Sequence, residues 1–101
     1  MALTPQDCKK ITEIFLVIFD KEDHLWLIQS PPAYEGFIAD LYLFIETFSQ
    51  DFEDIFQKKT SFIKEIKKRL GDQYGIDLVT KTPFETPPVY EKFKKEGLKL
   101  H

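Results

Sequence analysis

The side chains best suited to covalent chemistry are a single cysteine and one of the two histidines. Cys8 would be the nucleophile and His24 its base, because a thiol reacts readily only when a neighbouring group takes its proton. Cys8 lies just before the first apolar turn, however, where a cysteine usually packs as a small hydrophobic residue. His24 lies close to Trp26 in an acidic segment, which is typical of a surface or half-buried residue. We therefore expect no enzymatic activity and no catalytic residue.

Metal and cofactor sites lack the ligands or the spacing that they need. Zinc requires several clustered Cys and His side chains, whereas the chain has one Cys and two His. A calcium loop would need a glycine and a closing glutamate after an acidic stretch such as 20–23, and neither has a counterpart here. The four glycines, at positions 36, 71, 75 and 97, do not form a phosphate-binding loop. We expect no metal, no cofactor and no small-molecule substrate.

Charge is distributed unevenly along the chain. Up to Gln57 there are eleven acidic and three basic residues, whereas from Lys58 onward there are six acidic and eleven basic ones. A pI of about 5.4 argues against a protein whose main ligand is nucleic acid, although a local basic patch would survive that average. The sign change indicates either two differently charged faces or charges that suit the ends of helices.

The basic residues of the second half form two main groups, Lys67, Lys68 and Arg69 at the end of a predicted helix, and Lys92, Lys94 and Lys95 close to the end of the sequence. A nucleic acid would bring phosphates to these groups, with aromatic side chains nearby for stacking. Bases in the last turn of a helix and acids in its first turn are also what the helix macrodipole favours, at about 0.3–1 kcal/mol per charge. We therefore interpret them mainly as solvated surface, and prefer an acidic protein partner to nucleic acid, which is the disfavoured alternative.

Length and composition indicate one domain with its own core. The 101 residues are 43% hydrophobic and 15% aromatic, enough apolar surface for a chain of this size to fold without disulfides. A single cysteine cannot form an internal disulfide and no secretory signal precedes it, so we expect a reducing, cytoplasmic setting. The longest apolar run, Ile14 to Phe19, is far shorter than the roughly 20 residues of a membrane span. We expect no membrane segment.

Two stretches carry strong helix signals. Thr4 followed by proline and then an acid is typical of a helix start, and apolar residues recur at three- and four-residue spacing over about residues 5 to 19. A second helix starts at Ser49 or Asp51, has an apolar stripe up to Leu70, and ends at a glycine. Lys59 lies within that stripe, so either its stem extends along the core or the helix breaks there.

The middle and the end of the chain carry weaker signals. Ser30 and two prolines punctuate the first half, and the broad apolar face from Tyr34 to Phe48 predicts another long helix. Residues 74–80 form a short extended segment, and the Pro-rich segment 81–88 a strap on the surface. A short last helix, anchored by aromatic residues, ends at Gly97.

These elements predict an all-α fold, an antiparallel bundle of three to four helices in a single domain, with residues 81–101 as a strap and tail. The alternative is an α+β fold with a β-hairpin at 14–28, because β-branched and aromatic residues flank a short polar stretch there. In size, helix content and basic tail the chain loosely resembles a bacteriocin immunity protein. This is a likeness of organisation, and no sequence motif supports it.

The apolar residues outside the ideal helix stripes, Leu16, Val17, Trp26 and Leu43, predict a surface for another protein or for a second copy of the chain. We therefore expect a small non-catalytic protein-binding protein, a regulator, an adaptor or an immunity-type inhibitor. The basic groups Lys67, Lys68, Arg69, Lys92, Lys94 and Lys95 complete the predicted partner-binding set. The alternative is a nucleic-acid-binding accessory protein that uses the basic second half.

Overall fold

The computed structural model describes residues 4–28, 41–72 and 75–101. In these residues three helices and four strands follow one another in the order α1 (Pro5–Ile18), β1 (His24–Leu27), β2 (Leu41–Glu46), α2 (Phe52–Leu70), β3 (Ile76–Lys81), α3 (Tyr90–Glu96) and β4 (Leu98–Lys99). The all-α bundle is therefore wrong, and the resemblance to immunity proteins, which rested on size, helix content and basic tail, loses the support of helix content. The alternative α+β class fits, but its hairpin at 14–28 does not, because residues 14–18 belong to α1.

The helices α1 and α2 form where capping signals predicted them. The Thr4 hydroxyl accepts a hydrogen bond from the Asp7 N–H at 3.1 Å, and the Asp7 carboxylate accepts one from the Thr4 N–H at 3.2 Å. This reciprocal pair satisfies two amides at the start of α1, and the Asp51 carboxylate caps α2. Gly71 ends α2 with a φ of 130°, which glycine adopts without strain. Because α2 runs unbroken through Lys59, the break considered there is absent.

The strands form one mixed sheet in the order β3-β2-β1-β4. β1 lies antiparallel to β2, with Leu25 opposite Ile45, and antiparallel to β4, with Leu27 opposite Leu98. β2 and β3 are parallel, and α2 connects them, because parallel neighbours need a long crossover connection. The first two strands along the chain are therefore the two inner strands of the sheet.

Both faces of the sheet are covered, and each cover has its own hydrophobic core. On one face α1 and α2 pack against alternate strand residues, and this first core contains Ile11, Ile14, Phe15, Phe19, Leu25, Leu27, Leu41, Leu43, Ile45, Phe62 and Ile66. On the other face α3 contributes Phe93 to a smaller second core with Trp26, Ile28 and Phe44. Each such side chain contributes about 1.5–3 kcal/mol when it is fully buried, so the first core supplies most of the hydrophobic stabilisation.

β2 occupies part of the stretch for which a helix from Tyr34 to Phe48 was predicted. Leu41 and Ile45 face the first core and Phe44 faces the second. A strand that is buried on both faces is a continuous apolar run, which periodicity cannot distinguish from a helix stripe. Residues 29–40, which include the predicted helix start at Ser30, lie outside the described residues.

A polar contact fixes α3 on the second face of the sheet. The Tyr90 hydroxyl donates a hydrogen bond to Glu46 Oε2 at 2.6 Å, and the Lys94 ammonium donates one to the Tyr90 hydroxyl at 3.1 Å. Glu46 is buried, so this contact also satisfies a carboxylate that burial would otherwise penalise. α3 ends before Gly97, as predicted.

The segment 81–101, expected as a strap and tail, contains the end of β3, the helix α3 and the strand β4. β4 pairs with β1, and beyond it the Leu25 N–H donates a hydrogen bond to the His101 carbonyl at 3.1 Å. The His101 Nε2 lies 2.9 Å from the Lys21 carbonyl oxygen. No helix of the described part of the chain is both long and apolar enough to cross a membrane.

Candidate protein-binding surface

Several large apolar side chains of the described residues are exposed, and most of them are phenylalanines: Leu16, Val17, Phe48, Phe52, Phe56, Phe84 and Leu98. Phe52, Phe56 and Phe84 are 71%, 65% and 57% exposed. We call these three residues the phenylalanine surface. Single exposed apolar residues are normal in proteins, but a group of exposed aromatic rings marks a binding surface more often than chance.

Two of the rings lie on the first turns of α2. Phe52 is the first residue of the helix after the Asp51 cap, and Phe56 follows four residues later, so that both side chains lie on one side of the helix. The predicted apolar stripe of α2 does run through both positions. The first core covers Phe62 and Ile66 further along the helix but leaves the two rings at its start exposed.

The third ring comes from the turn after β3. The Thr82 hydroxyl accepts hydrogen bonds from the N–H groups of Phe84 and Glu85, each at 3.1 Å, and the Thr82 N–H donates to the Glu85 carbonyl at 2.9 Å. Thr82 is buried, so this turn is anchored to the domain. It brings the Phe84 ring to 6.4 Å from the Phe52 ring, centroid to centroid, in an edge-to-face arrangement. The phenylalanine surface is thus built by two separate elements.

A fourth exposed ring, Phe48, precedes the surface in the chain. Its N–H donates a hydrogen bond to Asp23 Oδ1 at 3.1 Å, and its ring lies 6.1 Å from the His24 ring. The buried Asp23 carboxylate also accepts the Asp20 N–H at 3.2 Å, so it ties the turn before β1 to the segment after β2. These bonds place Phe48 beside β1.

Acidic residues border Phe52 and Phe84, whereas Lys59 follows Phe56 by three residues on α2. Asp51 and Glu53 flank Phe52 in the sequence, Glu85 follows Phe84, and all three are exposed. None of the three carboxylates forms a salt bridge with the described residues, since the salt bridges found there join Lys58 to Asp54 and Asp20. Phe52 and Phe84 are therefore bordered by carboxylates that no lysine or arginine of the described residues pairs.

Lys58 neutralises the remaining acid of the first turns of α2. Its Nζ lies 3.0 Å from Asp54 Oδ2 and 3.8 Å from Asp20 Oδ2. The hydrogen bond from Lys58 lowers the pKa of Asp54 below its ordinary value. Partial burial acts to lower the pKa of Lys58, but the Asp54 hydrogen bond and the Asp20 charge together raise it. Both groups are therefore charged at neutral pH.

The structure separates the four apolar residues predicted to bind a partner. Leu16 and Val17 are exposed on α1, whereas Trp26 and Leu43 are buried in β1 and β2. Trp26 and Leu43 fell outside the helix stripes because they belong to strands, where alternate side chains face opposite cores. The rings at 52, 56 and 84 were not among the predicted partner-binding residues, because the first two were assigned to the apolar stripe of α2 and the third to the Pro-rich strap.

The two basic groups lie on opposite faces of the sheet. Lys67, Lys68 and Arg69 end α2, which packs on the first core, whereas Lys92, Lys94 and Lys95 belong to α3, which packs on the second. Lys67 and Lys68 line a surface cavity of about 650 Å³. Glu65 and Asp72 line the same cavity, so its charge is mixed. The structure does not join the two groups into one basic surface.

The residues considered for covalent chemistry and metal binding are dispersed. Cys8 packs against the first core, and burial together with the charge of Asp7 raises the pKa of its thiol. His24 starts β1 with its ring 5.9 Å from that of Trp26. Within residues 4–28, 41–72 and 75–101, no three His, Cys, Asp or Glu side chains converge as they would around a metal ion.

In comparisons of the chain with known proteins, no family model matches, and neither a curated protein nor a solved structure does.

Proposed function

We propose that this protein is a non-catalytic protein-binding domain that binds its partner through the phenylalanine surface. The observation that supports this most is the contact between two exposed rings, Phe52 and Phe84, which a capped helix start and an anchored turn hold together. Rings held in place lose little conformational entropy on binding, which makes them efficient contact residues.

The exposed area is sufficient for the centre of an interface. With roughly 200 Å² for each phenylalanine, the three exposed fractions leave about 400 Å² of aromatic surface, half of what one partner buries in a standard interface. Aromatic residues carry a disproportionate share of binding energy when they lie at the centre of a contact. The partner would cover Phe52, Phe56 and Phe84 with apolar side chains of its own.

The border of the surface defines the partner further. Asp51, Glu53 and Glu85 are exposed acids next to the rings, so a partner with basic residues around an apolar centre would complement them. Binding of this kind needs no chemistry, because it acts by covering a surface of the partner, as in a regulator, an adaptor or an inhibitor. A cytoplasmic setting belongs to this proposal, since the single cysteine forms no internal disulfide.

A nucleic-acid-binding role has less support. The basic residues of α2 and α3 lie on opposite faces of the sheet, so a single duplex or strand would not neutralise both groups at once. Acidic side chains also interrupt the cavity beside Lys67 and Lys68. The geometry of the phenylalanine surface therefore supports a protein partner.

Quantitative affinity capture tests the proposal. The wild-type chain, the variants Phe52→Ala and Phe84→Ala, and the control Val17→Ala are immobilised in equal amounts, and retained proteins are measured by mass spectrometry. Loss of a central aromatic anchor costs about 2 kcal/mol, or about 30-fold in Kd. We expect a protein that the wild type and Val17→Ala retain equally and that both phenylalanine variants retain at least tenfold less.

The control removes an apolar side chain that is 83% exposed on α1, outside the phenylalanine surface. Circular dichroism checks that each variant is folded. Equal retention of the same proteins by all four chains would refute the proposal, as would the absence of any retained protein. A loss confined to Val17→Ala would move the binding surface to α1.

A further inference from the structure

Among the described residues, β3 is an edge strand with one open side. It pairs with β2 only, and no other strand of the described residues lies beside it. All six residues from Ile76 to Lys81 are half-exposed, including the apolar ones at 76, 78 and 79. The strand contains no proline, and its charged residues are Asp77 and the last residue, Lys81, so few features protect this edge. The opposite edge, β4, has only two residues.

The backbone direction of β3 shows which groups face outward. The Gly75 carbonyl accepts the Leu41 N–H and the Lys81 carbonyl accepts the Thr47 N–H, each at 3.0 Å, so odd-numbered carbonyls of this segment point to β2. Backbone groups alternate in direction along a strand. The N–H and C=O groups of the even-numbered residues, at 76, 78 and 80, therefore point away from the sheet.

We propose that β3 pairs antiparallel with β3 of a second copy of this chain, around a two-fold axis at Val79, and so forms a continuous eight-stranded sheet. In an antiparallel pair, residues that point outward must lie opposite residues that also point outward. Pairing around Val79 satisfies this rule, because Leu78 then lies opposite Thr80 of the other copy. This inference is independent of the phenylalanine surface.

Charge pairing favours the register with its axis at Val79 over the registers with an axis at Leu78 or Asp77. Around Val79, Asp77 of each copy lies opposite Lys81 of the other, which gives two opposite-charge pairs across the interface. A shift to an axis at Leu78 would place Asp77 opposite Val79, and an axis at Asp77 would place the two Asp77 carboxylates opposite each other. Only the axis at Val79 pairs both charges.

The side chains of β3 are suited to such a contact. Val79 packs at the border of the second core, and Ile76 and Leu78 at the border of the first, so a second copy would extend both cores. Asp77 forms no salt bridge with the described residues, and its partial burial raises the pKa of its carboxyl despite the nearby charge of Lys59. A lysine opposite Asp77 would add a direct ion pair to this carboxyl.

Charge reversal tests the register directly. Sedimentation velocity measures the mass of the wild type, Asp77→Lys, Lys81→Asp and an equimolar mixture of these two variants over a range of protein concentrations. We expect the wild type to dimerise and each variant alone to dimerise at least tenfold more weakly, because two like-charge pairs replace the opposite-charge ones. The mixture should regain dimers, since each variant restores the charges that the other lacks.

Two control variants exclude other surfaces. Lys99→Asp changes a charge on the opposite edge strand, and Phe52→Ala truncates an exposed ring, so neither should weaken dimerisation by more than twofold. Circular dichroism establishes that every variant is folded. A wild type that stays monomeric up to millimolar concentration, a mixture that does not regain dimers, or dimerisation that Phe52→Ala abolishes would each overturn the inference.

Discussion

Replacement of Phe62 by alanine probes the packing of α2 most directly. Phe62 is fully buried, and its ring meets those of Phe15 at 6.0 Å and Phe19 at 5.8 Å in edge-to-face geometry. A buried Phe→Ala change costs about 3–5 kcal/mol through lost burial and the cavity that remains. Because two aromatic contacts are lost as well, we expect about 4 kcal/mol, a large part of the 5–15 kcal/mol that typically stabilises a domain.

Phe52→Ala on the same helix is the matched control. The same atoms are removed, but Phe52 is exposed, so the free energy of unfolding should change by less than about 0.5 kcal/mol. Urea denaturation followed by circular dichroism and by the fluorescence of Trp26 measures both values, with an unchanged dependence on urea expected. A loss below about 1.5 kcal/mol for Phe62→Ala, or one above it for Phe52→Ala, would refute the packing described for α2.

Two further predictions concern α3 and the start of α2. Gly97→Ala should lower the free energy of unfolding in urea by about 1–3 kcal/mol, because a Cβ at position 97 would lie 2.6 Å from the Phe93 carbonyl oxygen and 3.0 Å from Ile28 Cδ1. An unchanged urea midpoint would contradict this close approach. The Asp54 carboxyl, whose pKa the hydrogen bond from Lys58 lowers, should titrate by NMR with a midpoint below 3.8 in the wild type and a higher one in Lys58→Met. The contribution of Asp54 to stability is therefore present above pH 3.8 and is lost as the pH falls through its lowered pKa. The contribution of Lys58, whose pKa is raised, is lost only as the pH rises above 10.5. An equal Asp54 midpoint in the wild type and in Lys58→Met would contradict the pairing.

The ends of the helices could be predicted because their signals are local. Thr4 and Asp7 cap α1 through bonds between residues three apart, and Gly71 ends α2 through its own backbone conformation. The last helix likewise ends before Gly97. Such features depend on a few neighbouring residues, so the sequence contains nearly all the information about them.

The extended segment predicted at 74–80 overlaps β3 (Ile76–Lys81), but β1 and β2 could not be predicted because their pattern depends on the rest of the fold. Leu43 and Phe44 are both buried, one in each core, so β2 shows no alternation of apolar and polar residues. The same holds for Leu25 and Trp26 in β1. These apolar runs are explained by the packing of helices on both faces of the sheet, and the residues of the runs alone do not indicate that packing.

The candidate surface was missed for a related physical reason. Phe52 and Phe56 satisfy the same helical spacing as Phe62, so periodicity assigns all three to one buried stripe. Their different exposure arises from their angular position: Ile55, Phe62 and Ile66 share one side of α2 and are buried, whereas Phe52 and Phe56 lie on the neighbouring side. Phe84 joins them through a turn that Thr82 holds, and that contact links residues far apart in the sequence.

The pairing of β4 with β1 has a consequence for how the chain folds. The Leu25 carbonyl accepts hydrogen bonds from the N–H groups of Leu100 and His101, residues from the other end of the sequence, whereas α2 alone joins β2 to β3. Closing so long a loop costs entropy before the contact returns any stabilisation, and distant pairings slow folding. β1 should therefore pair with β4 late in folding. Until then, β1 is an exposed edge strand of apolar residues. Two incompletely folded chains would exchange their β4 strands at this edge.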